Sequence, residues 1–201
     1  MSRVKICGLR RVEDIDAINR ALPDYIGFVF AQSRRRIDIE TAAMLKEKLD
    51  IGIKAVGVFV NEDISAISEI VQSGIIDLIQ FHGDEDDLYI ERLKEICDSP
   101  VIKAVGVGGT LPLLPKAADY LLFDTISTQR GGVGKVFDWN ILNEYHNMPY
   151  FLAGGLSTGN VSEALSQLLP FCVDVSSGVE TDGFKDPEKI NEFVQLVRRT
   201  Q

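Results

Sequence analysis

Short apolar runs recur at regular intervals along this chain, and several of them end in a polar residue or a glycine that packing does not require. Runs of this kind are typical of strands buried on both faces, which occur in parallel sheets covered by helices. The pattern predicts eight strands. They lie at residues 3–8, 25–30, 54–60, 76–82, 101–106, 120–124, 150–154 and 172–176.

Amphipathic helical patterns separate these strands. The clearest place apolar residues three and four positions apart at residues 62–73, 86–97 and 187–198. The segment 108–118 contains Pro112 and Pro115, and it is either the weakest of the helices or one irregular turn. Eight alternations favour a closed barrel over an open doubly wound sheet. We therefore predict that residues 1–201 form a single-domain α/β protein, a (β/α)8 TIM barrel.

Composition and charge exclude several classes of protein. A chain of 201 residues with 45% hydrophobic residues is long enough to bury one core. Its net charge of −9 argues against non-specific nucleic-acid binding, which needs a basic surface. No apolar run approaches the ~20 residues of a membrane span, and Met1 leads directly into the first strand without a signal peptide. We expect a protein of the cytoplasm that binds neither nucleic acid nor membrane.

The cysteines point to the same compartment. Cys7, Cys97 and Cys172 are odd in number, far apart in sequence and without the spacing of metal ligands. We therefore expect reduced thiols, no disulfide framework and no metal site.

Side-chain parity predicts where polar residues of the strands point. Alternate residues of a strand share a face, so the polar residues face the barrel axis if the neighbouring valines and isoleucines face the helices. Enzymes with this fold place their reactive groups at the carboxyl ends of the strands. The residues predicted to face the axis are Lys5, Cys7, Gln80, His82, Asp124, Asp174 and Ser176.

Three of these residues have two interpretations each. Cys7 is either a small buried hydrophobic residue, as most free cysteines are, or a reactive thiol whose pKa Lys5 would lower. Asp124 follows Tyr-Leu-Leu-Phe and is either reactive or a cap for the next segment. Asp174 lies between two valines, and either contacts a ligand or pairs with Lys5 or Lys103 inside the barrel.

Glycines and serines end the last two strands. Gly154 and Gly155 follow the seventh strand, and Ser176, Ser177 and Gly178 follow the eighth. Glycine lets the main chain approach a ligand closely, and free backbone amides can hold a phosphate. In barrels of this kind the loops after these two strands are the usual phosphate site. The alternative is that both segments are only tight turns.

Three other segments carry candidate or peripheral groups. The run Ser33–Arg36 follows the second strand and is either a solvated loop or a source of a guanidinium for a planar carboxylate. We interpret His82 as structural or peripheral, because the chain has only two histidines and no cluster of them. The glycine-rich stretch 127–138 predicts a long loop, and Ser127–Lys135 is our candidate lid.

Nine motifs resemble, in order, those of the phosphoribosylanthranilate isomerase family, and the resemblance extends from residue 3 to about residue 195. They are Lys5–Leu9, Gly27–Phe30, Gly57–Asn61, Gln80–Glu85, Phe123–Thr125, Gly131–Lys135, Phe137–Trp139, Ala153–Leu156 and Asp174–Glu180.

The resemblance implies a cofactor-free barrel of tryptophan biosynthesis. Such an enzyme converts N-(5-phosphoribosyl)anthranilate into 1-(o-carboxyphenylamino)-1-deoxyribulose 5-phosphate by an Amadori rearrangement. It implies Cys7 as general base, Asp124 as general acid and Arg35 as the contact for the anthranilate carboxylate. Arg36 stands where the family commonly has an aromatic residue. A phosphorylated small molecule is the implied partner, and the protein is expected to be a monomer or homodimer. The implied substrate-binding residues are Arg35, Gly154, Gly155, Asp174, Ser176, Ser177 and Gly178.

Two other functions fit the same barrel. The isomerase of histidine biosynthesis performs the same rearrangement on a different aminoaldose, but those barrels typically place an aspartate at the position of Cys7 and have two similar phosphate half-sites. The other is a catalytically silent barrel that binds a phosphorylated metabolite or a protein. Because this chain has the glycine pair only in its C-terminal half, the histidine-pathway enzyme is disfavoured. The presence of both the proposed base and the proposed acid argues against the silent barrel.

Overall fold

Eight parallel strands close into a barrel in the computed structural model, which describes residues 2–126 and 136–200. Each strand pairs with the next along the chain, and the eighth pairs with the first. The predicted fold class is confirmed, and every predicted strand end lies within two residues of the observed one. The strands are β1 (Arg3–Cys7), β2 (Tyr25–Val29), β3 (Lys54–Phe59), β4 (Leu78–Phe81), β5 (Val101–Val107), β6 (Tyr120–Thr125), β7 (Tyr150–Leu152) and β8 (Cys172–Val175).

Helices cover the outside of the barrel, and aspartates begin several of them. Asp63 accepts a hydrogen bond from the Ser65 backbone N–H, and Asp186 accepts from the two N–H groups of residues 188 and 189. A carboxylate there binds backbone donors that have no partner within the helix. The described residues form α1 (Val12–Ala21), α2 (Ile39–Glu47), α3 (Ile64–Gln72), α4 (Asp87–Lys94), α5 (Val161–Gln167) and α6 (Pro187–Arg199). None of these helices is long and apolar enough to cross a membrane.

Among the described residues, three connections depart from the strand–helix alternation. The segment between β5 and β6 contains neither helix nor strand, so of the two alternatives for residues 108–118 the irregular one is correct. The described part of the connection between β6 and β7 contains only a 3-10 helix (Trp139–Leu142). After β8, a single 3-10 turn (Ser177–Val179) leads into a short antiparallel hairpin of β9 (Glu180–Thr181) and β10 (Phe184–Lys185). The sequence pattern did not predict this hairpin, because its strands are only two residues long.

Two apolar layers follow from the alternation of side chains along the strands. Val4 and Ile6 of β1 pack outward, in the large cluster between the barrel and its helices. A second, smaller cluster comes from the barrel strands and the residue after β7, and it fills the barrel interior. Its buried members are Tyr25, Val56, Leu78, Ile102, Leu122, Phe151, Ala153 and Cys172.

A buried ion pair lies on top of the interior layer. Lys5 has no exposed surface, and its Nζ donates to Asp174 Oδ2 at 2.9 Å and to Gln80 Oε1 at 2.8 Å. Gln80 belongs to β4, which does not adjoin β1, so this contact crosses the inside of the barrel. Burial alone would lower the pKa of Lys5, but the negative charge of Asp174 raises it above the ordinary value.

The Lys5→Met variant should be strongly destabilised, because it leaves the carboxylate of Asp174 buried without its cation. Removing one partner of a buried pair costs about 3–5 kcal/mol of unfolding free energy. Urea denaturation followed by Trp139 fluorescence measures the loss. Lys94→Met is the control, because Lys94 pairs with Asp119 on the exposed surface, where such a pair contributes about 0–1 kcal/mol. Equal urea midpoints for the two variants would contradict this account of Lys5.

Candidate active site

A cavity of about 340 Å³ opens at the carboxyl ends of the barrel strands. It collects side chains and backbone from seven of the eight strands or the loops that follow them. Eight of the nine predicted site residues line it together, and Gly178 does not. The eight are Cys7, Arg35, Asp124, Gly154, Gly155, Asp174, Ser176 and Ser177.

Cys7 ends β1 and is only 9% exposed. It lies opposite Gly27 of β2, and its carbonyl accepts a hydrogen bond from Ser176 Oγ at 2.9 Å. A Cβ atom on Gly27 would lie 2.6 Å from Cys7 Sγ, so the absence of a side chain on β2 makes room for the thiol. The interpretation of Cys7 as a packing residue alone does not explain its place on the cavity wall.

Lys5 lowers the pKa of Cys7, as expected, but the net shift of that pKa is upward. Burial raises the pKa of the thiol above its ordinary value, and this effect is larger than the opposing attraction of Lys5. The ammonium of Lys5 is shared with the carboxylate of Asp174, whose own charge also disfavours the thiolate. A cation that is already paired stabilises a second anion less well.

Asp174 pairs with Lys5 through one oxygen and keeps the other free. Oδ2 accepts from Lys5, whereas Oδ1 is buried and has no hydrogen-bond partner among the described residues. The alternative partner, Lys103, pairs instead with Glu85 at 3.1 Å. Asp174 lines the cavity, but its Oδ1 atom is shielded from solvent.

Asp124 lies in β6, one residue from the end of the strand. Its Oδ1 accepts from the Thr125 backbone N–H at 2.8 Å, and its side chain is 30% exposed to the cavity. Gly154 of the next loop packs against it, since a Cβ there would lie 3.0 Å from Asp124 Oδ1. Among the described residues, Asp124 contacts Thr125, Gly154 and His82, and Thr125 and Ile126 after it are not helical.

His82 has a larger part in the site than the sequence indicated. Its Nε2 lies 3.4 Å from Asp124 Oδ2, and its Nδ1 lies 3.2 Å from Gln80 Nε2. The ammonium of Lys5 can only donate, so the oxygen of Gln80 faces Lys5 and its amide nitrogen faces His82. His82 Nδ1 is then the acceptor. The alternation of side chains along β4 predicts that His82 faces the barrel axis. This prediction could have identified His82 as a residue of the site.

Backbone geometry at the last two strand ends suits close approach of a ligand. Gly154 and Gly155 have φ values of +83° and +75°, which favour glycine. No acceptor for the Gly155 backbone N–H is found in the part of the chain that the structure describes. Ser176 and Ser177 line the same cavity, at the end of the adjacent strand β8. Gly178 lies behind it, where any side chain would overlap the carbonyl of Leu156, so its contact with a ligand stays a prediction.

Of the three consecutive arginines, Arg35 alone lines the cavity. The side chain of Arg34 is 60% exposed, and Arg36 donates to Gln32 Oε1 at 3.2 Å. Arg35 donates instead to both carboxylate oxygens of Glu180, at 2.7 and 3.0 Å. Glu180 is the last residue of the motif Asp174–Glu180, but nothing in the sequence predicts that it pairs with an arginine.

Two other expectations concern the lid and metals. The candidate lid, Ser127–Lys135, lies outside the described residues. Within residues 2–126 and 136–200, no group of three or more histidine, cysteine, aspartate or glutamate side chains is placed to hold a metal ion.

A closed parallel barrel with a thiol and a carboxyl on one cavity at the carboxyl ends of its strands defines the class of protein, a (β/α)8-barrel enzyme. A family model described as N-(5'phosphoribosyl)anthranilate (PRA) isomerase matches residues 4–196. The chain belongs to this family.

Individual relatives agree over the full length. The N-(5'-phosphoribosyl)anthranilate isomerase of Endomicrobium trichonymphae is 51% identical over 199 residues, covering 98% of this chain and 99% of that protein. The crystal structure of phosphoribosyl anthranilate isomerase from Thermotoga maritima aligns with a TM-score of 0.86 at 34% identity, over 99% of this chain and 100% of that chain. A phosphoribosyl anthranilate isomerase in complex with reduced 1-(o-carboxyphenylamino)-1-deoxyribulose 5-phosphate aligns with a TM-score of 0.82 at 32% identity. That alignment covers 99% of this chain and 100% of the other.

Gly27→Ala should lower kcat/KM by roughly 10²-fold, because the new methyl group displaces the Cys7 thiol and small misplacements of reacting groups have effects of this size. Steady-state kinetics on the purified variant measures it. Gly109→Ala is the control, since no atom lies within 4 Å of its added Cβ. Unchanged kinetics in Gly27→Ala would show that the thiol tolerates the shift.

Alkylation of Cys7 should report a pKa above the ordinary thiol value. Because burial disfavours the thiolate, its reaction with iodoacetamide should accelerate by about tenfold per pH unit through neutrality and level off only above the ordinary pKa. Mass spectrometry of the Cys7 peptide measures the rate, and the urea-unfolded chain supplies the ordinary value. An inflection in the native protein below that of the unfolded chain would mean that Lys5 dominates over burial.

Proposed function

We propose that this chain converts N-(5-phosphoribosyl)anthranilate into 1-(o-carboxyphenylamino)-1-deoxyribulose 5-phosphate, with Cys7 as the general base and Asp124 as the general acid. Membership of the family makes it an isomerase of tryptophan biosynthesis. The observation that carries the assignment of roles is that both groups line one cavity, although they come from β1 and β6. An acid and a base that act on the same sugar must reach it from different directions.

The ligand carries a phosphate and a carboxylate into a protein of net charge −9, so local donors must hold both groups. We assign the phosphate to the backbone of Gly154 and Gly155 together with Ser176 and Ser177, because the two segments follow adjacent strands and line one cavity. We assign the carboxylate to Arg35, whose planar guanidinium matches its geometry. The ligand named for the related complex bears the same two anionic groups.

The chemistry begins with ring opening. Asp124, in its protonated form, donates its proton to the furanose ring oxygen, the C1′–oxygen bond breaks, and the nitrogen lone pair forms an iminium with C1′. Cys7 as thiolate then removes the proton from C2′, and the electron pair of that C–H bond forms an enolamine. Protonation at C1′ and loss of the C2′ hydroxyl proton give the ketone. Each general acid or base of this kind contributes roughly 10²–10⁴ in rate.

The free oxygen of Asp174 fits the same arrangement. Asp174 lines the cavity with Cys7, Ser176 and Ser177, and its Oδ1 is buried without a partner among the described residues. A buried acceptor without a donor is unfavourable, and rotation of the carboxylate on binding would allow a hydroxyl of the ribose chain to supply one. We therefore place Asp174 in both a structural and a ligand-binding role.

Cys7→Ala and Asp124→Asn should each lower kcat by roughly 10²–10⁴-fold while the affinity for a reduced product analogue changes little, because each removes a proton-transfer group and keeps the cavity. Turnover is measured by the loss of phosphoribosylanthranilate fluorescence, and affinity by calorimetry. Cys97→Ala and Asp119→Asn are the matched controls, since neither residue lines the cavity.

Near-wild-type turnover in either variant would refute its assigned role. If the wild-type chain itself binds the analogue but leaves the fluorescence unchanged, the catalytically silent barrel is the correct alternative. The location in the cytoplasm and the assembly as monomer or homodimer stay predictions.

A further inference from the structure

A buried carboxylate behind the cavity wall holds Arg35. Glu180 does not line the cavity, and its side chain is only 6% exposed. Arg35 Nε donates to Glu180 Oε1 at 2.7 Å, and Arg35 Nη2 donates to Oε2 at 3.0 Å. Two parallel hydrogen bonds fix the plane of a guanidinium as well as its position.

Glu180 is itself held in place by the hairpin that follows β8. Lys185 lies opposite it in the β9–β10 pair and donates to Glu180 Oε1 at 2.9 Å. The side chain of Lys185 is 2% exposed, and its Nζ also donates to the carbonyl of Ser176 at 2.9 Å. The buried pair therefore connects the hairpin to the loop that carries the cavity serines.

The carboxyl group of Glu180 is ionised at physiological pH. Burial would raise the pKa of its carboxyl, but hydrogen bonds from Arg35 and the charge of Lys185 lower it to about 2. Arg34 adds a third cation, at 3.2 Å from Oε2. Three cations surround one carboxylate, so the cluster keeps a positive excess that is able to attract an anionic ligand.

One edge of the Arg35 guanidinium remains free. Its five N–H groups include Nε–H and one Nη2–H that bind Glu180. The second Nη2–H and both Nη1–H groups have no acceptor among the described residues. These groups form a planar fork on a side chain that lines the cavity. Gly8 keeps the stem of Arg35 close to β1, because a Cβ at that position would overlap Arg35 Cδ.

We propose that Glu180 is a positioning residue: it presets the Arg35 guanidinium so that the free edge receives the aromatic carboxylate of the substrate. The proposal rests on the assignment of Arg35 under the proposed function. Ordering a long side chain on binding is unfavourable, and a side chain that is ordered beforehand avoids that loss. Glu180 then contributes to affinity for the carboxylate without touching the substrate.

The test compares two ligands that differ only in the carboxylate. The first is the reduced product, and the second is its counterpart with a phenyl group in place of the o-carboxyphenyl group. Calorimetry on Glu180→Gln should show about 2- to 10-fold weaker binding of the first ligand and unchanged binding of the second. KM should rise while kcat is largely retained. Asp182→Asn is the control, because it removes the same charge from the exposed tip of the same hairpin.

A double variant controls for the possibility that Glu180→Gln fails to fold. Glu180→Gln leaves Lys185 buried without its carboxylate, so Glu180→Gln/Lys185→Met removes both charges together. The double variant should show the same selective loss of the carboxylated ligand. Equal weakening of both ligands in the two variants would mean a merely structural role for Glu180. Tighter binding of the carboxylated ligand would mean that Glu180 competes with it for Arg35, and either result overturns the proposal.

Arg35→Ala separates this proposal from the proposed function. It should weaken the carboxylated ligand strongly and the other ligand little. If it affects neither, the assignment of Arg35 fails, and the role of Glu180 fails with it. If Arg35→Ala behaves as expected and Glu180→Gln does not, only the positioning role is wrong.

Discussion

The buried ammonium of Lys5 is the interaction on which the centre of this barrel depends. A cation with no exposed surface requires acceptors, and Asp174 and Gln80 supply them from two other strands. Because Gln80 must turn its oxygen toward Lys5, its nitrogen faces His82, which in turn lies beside Asp124. One charge in the interior thereby orients a line of polar groups that ends at the proposed general acid.

Two glycines, which have no side chain, shape the site as much as its polar residues do. Gly27 leaves space for the thiol of Cys7, and Gly8 leaves space for the stem of Arg35. Protein interiors are closely packed, so a methyl group at either glycine would displace the side chain beside it. The glycines of the motifs in this chain are therefore part of the geometry of the site, although they carry no chemistry themselves.

Much of the fold and part of the site could be predicted from the sequence. Parity along β1, β6 and β8 placed Cys7, Asp124 and Asp174 on the barrel axis, and all three line the cavity. The same reasoning could not choose between Lys5 and Lys103 as the partner of Asp174, since either lysine is long enough to reach it. The β9–β10 hairpin was not predicted, because strands of two residues are too short to show an alternation of apolar and polar side chains.

The sequence by itself determined the order of the strands and which residues face the axis, because alternation along a strand is a local property of the backbone. Only the tertiary structure decided which polar groups meet. Arg35 and Glu180 are 145 residues apart in the chain, and their pairing follows from the closure of β8 onto β1 beside β2. The raised pKa of Cys7 was decided in the same way, because burial and the sharing of Lys5 with Asp174 exist only once the barrel has closed.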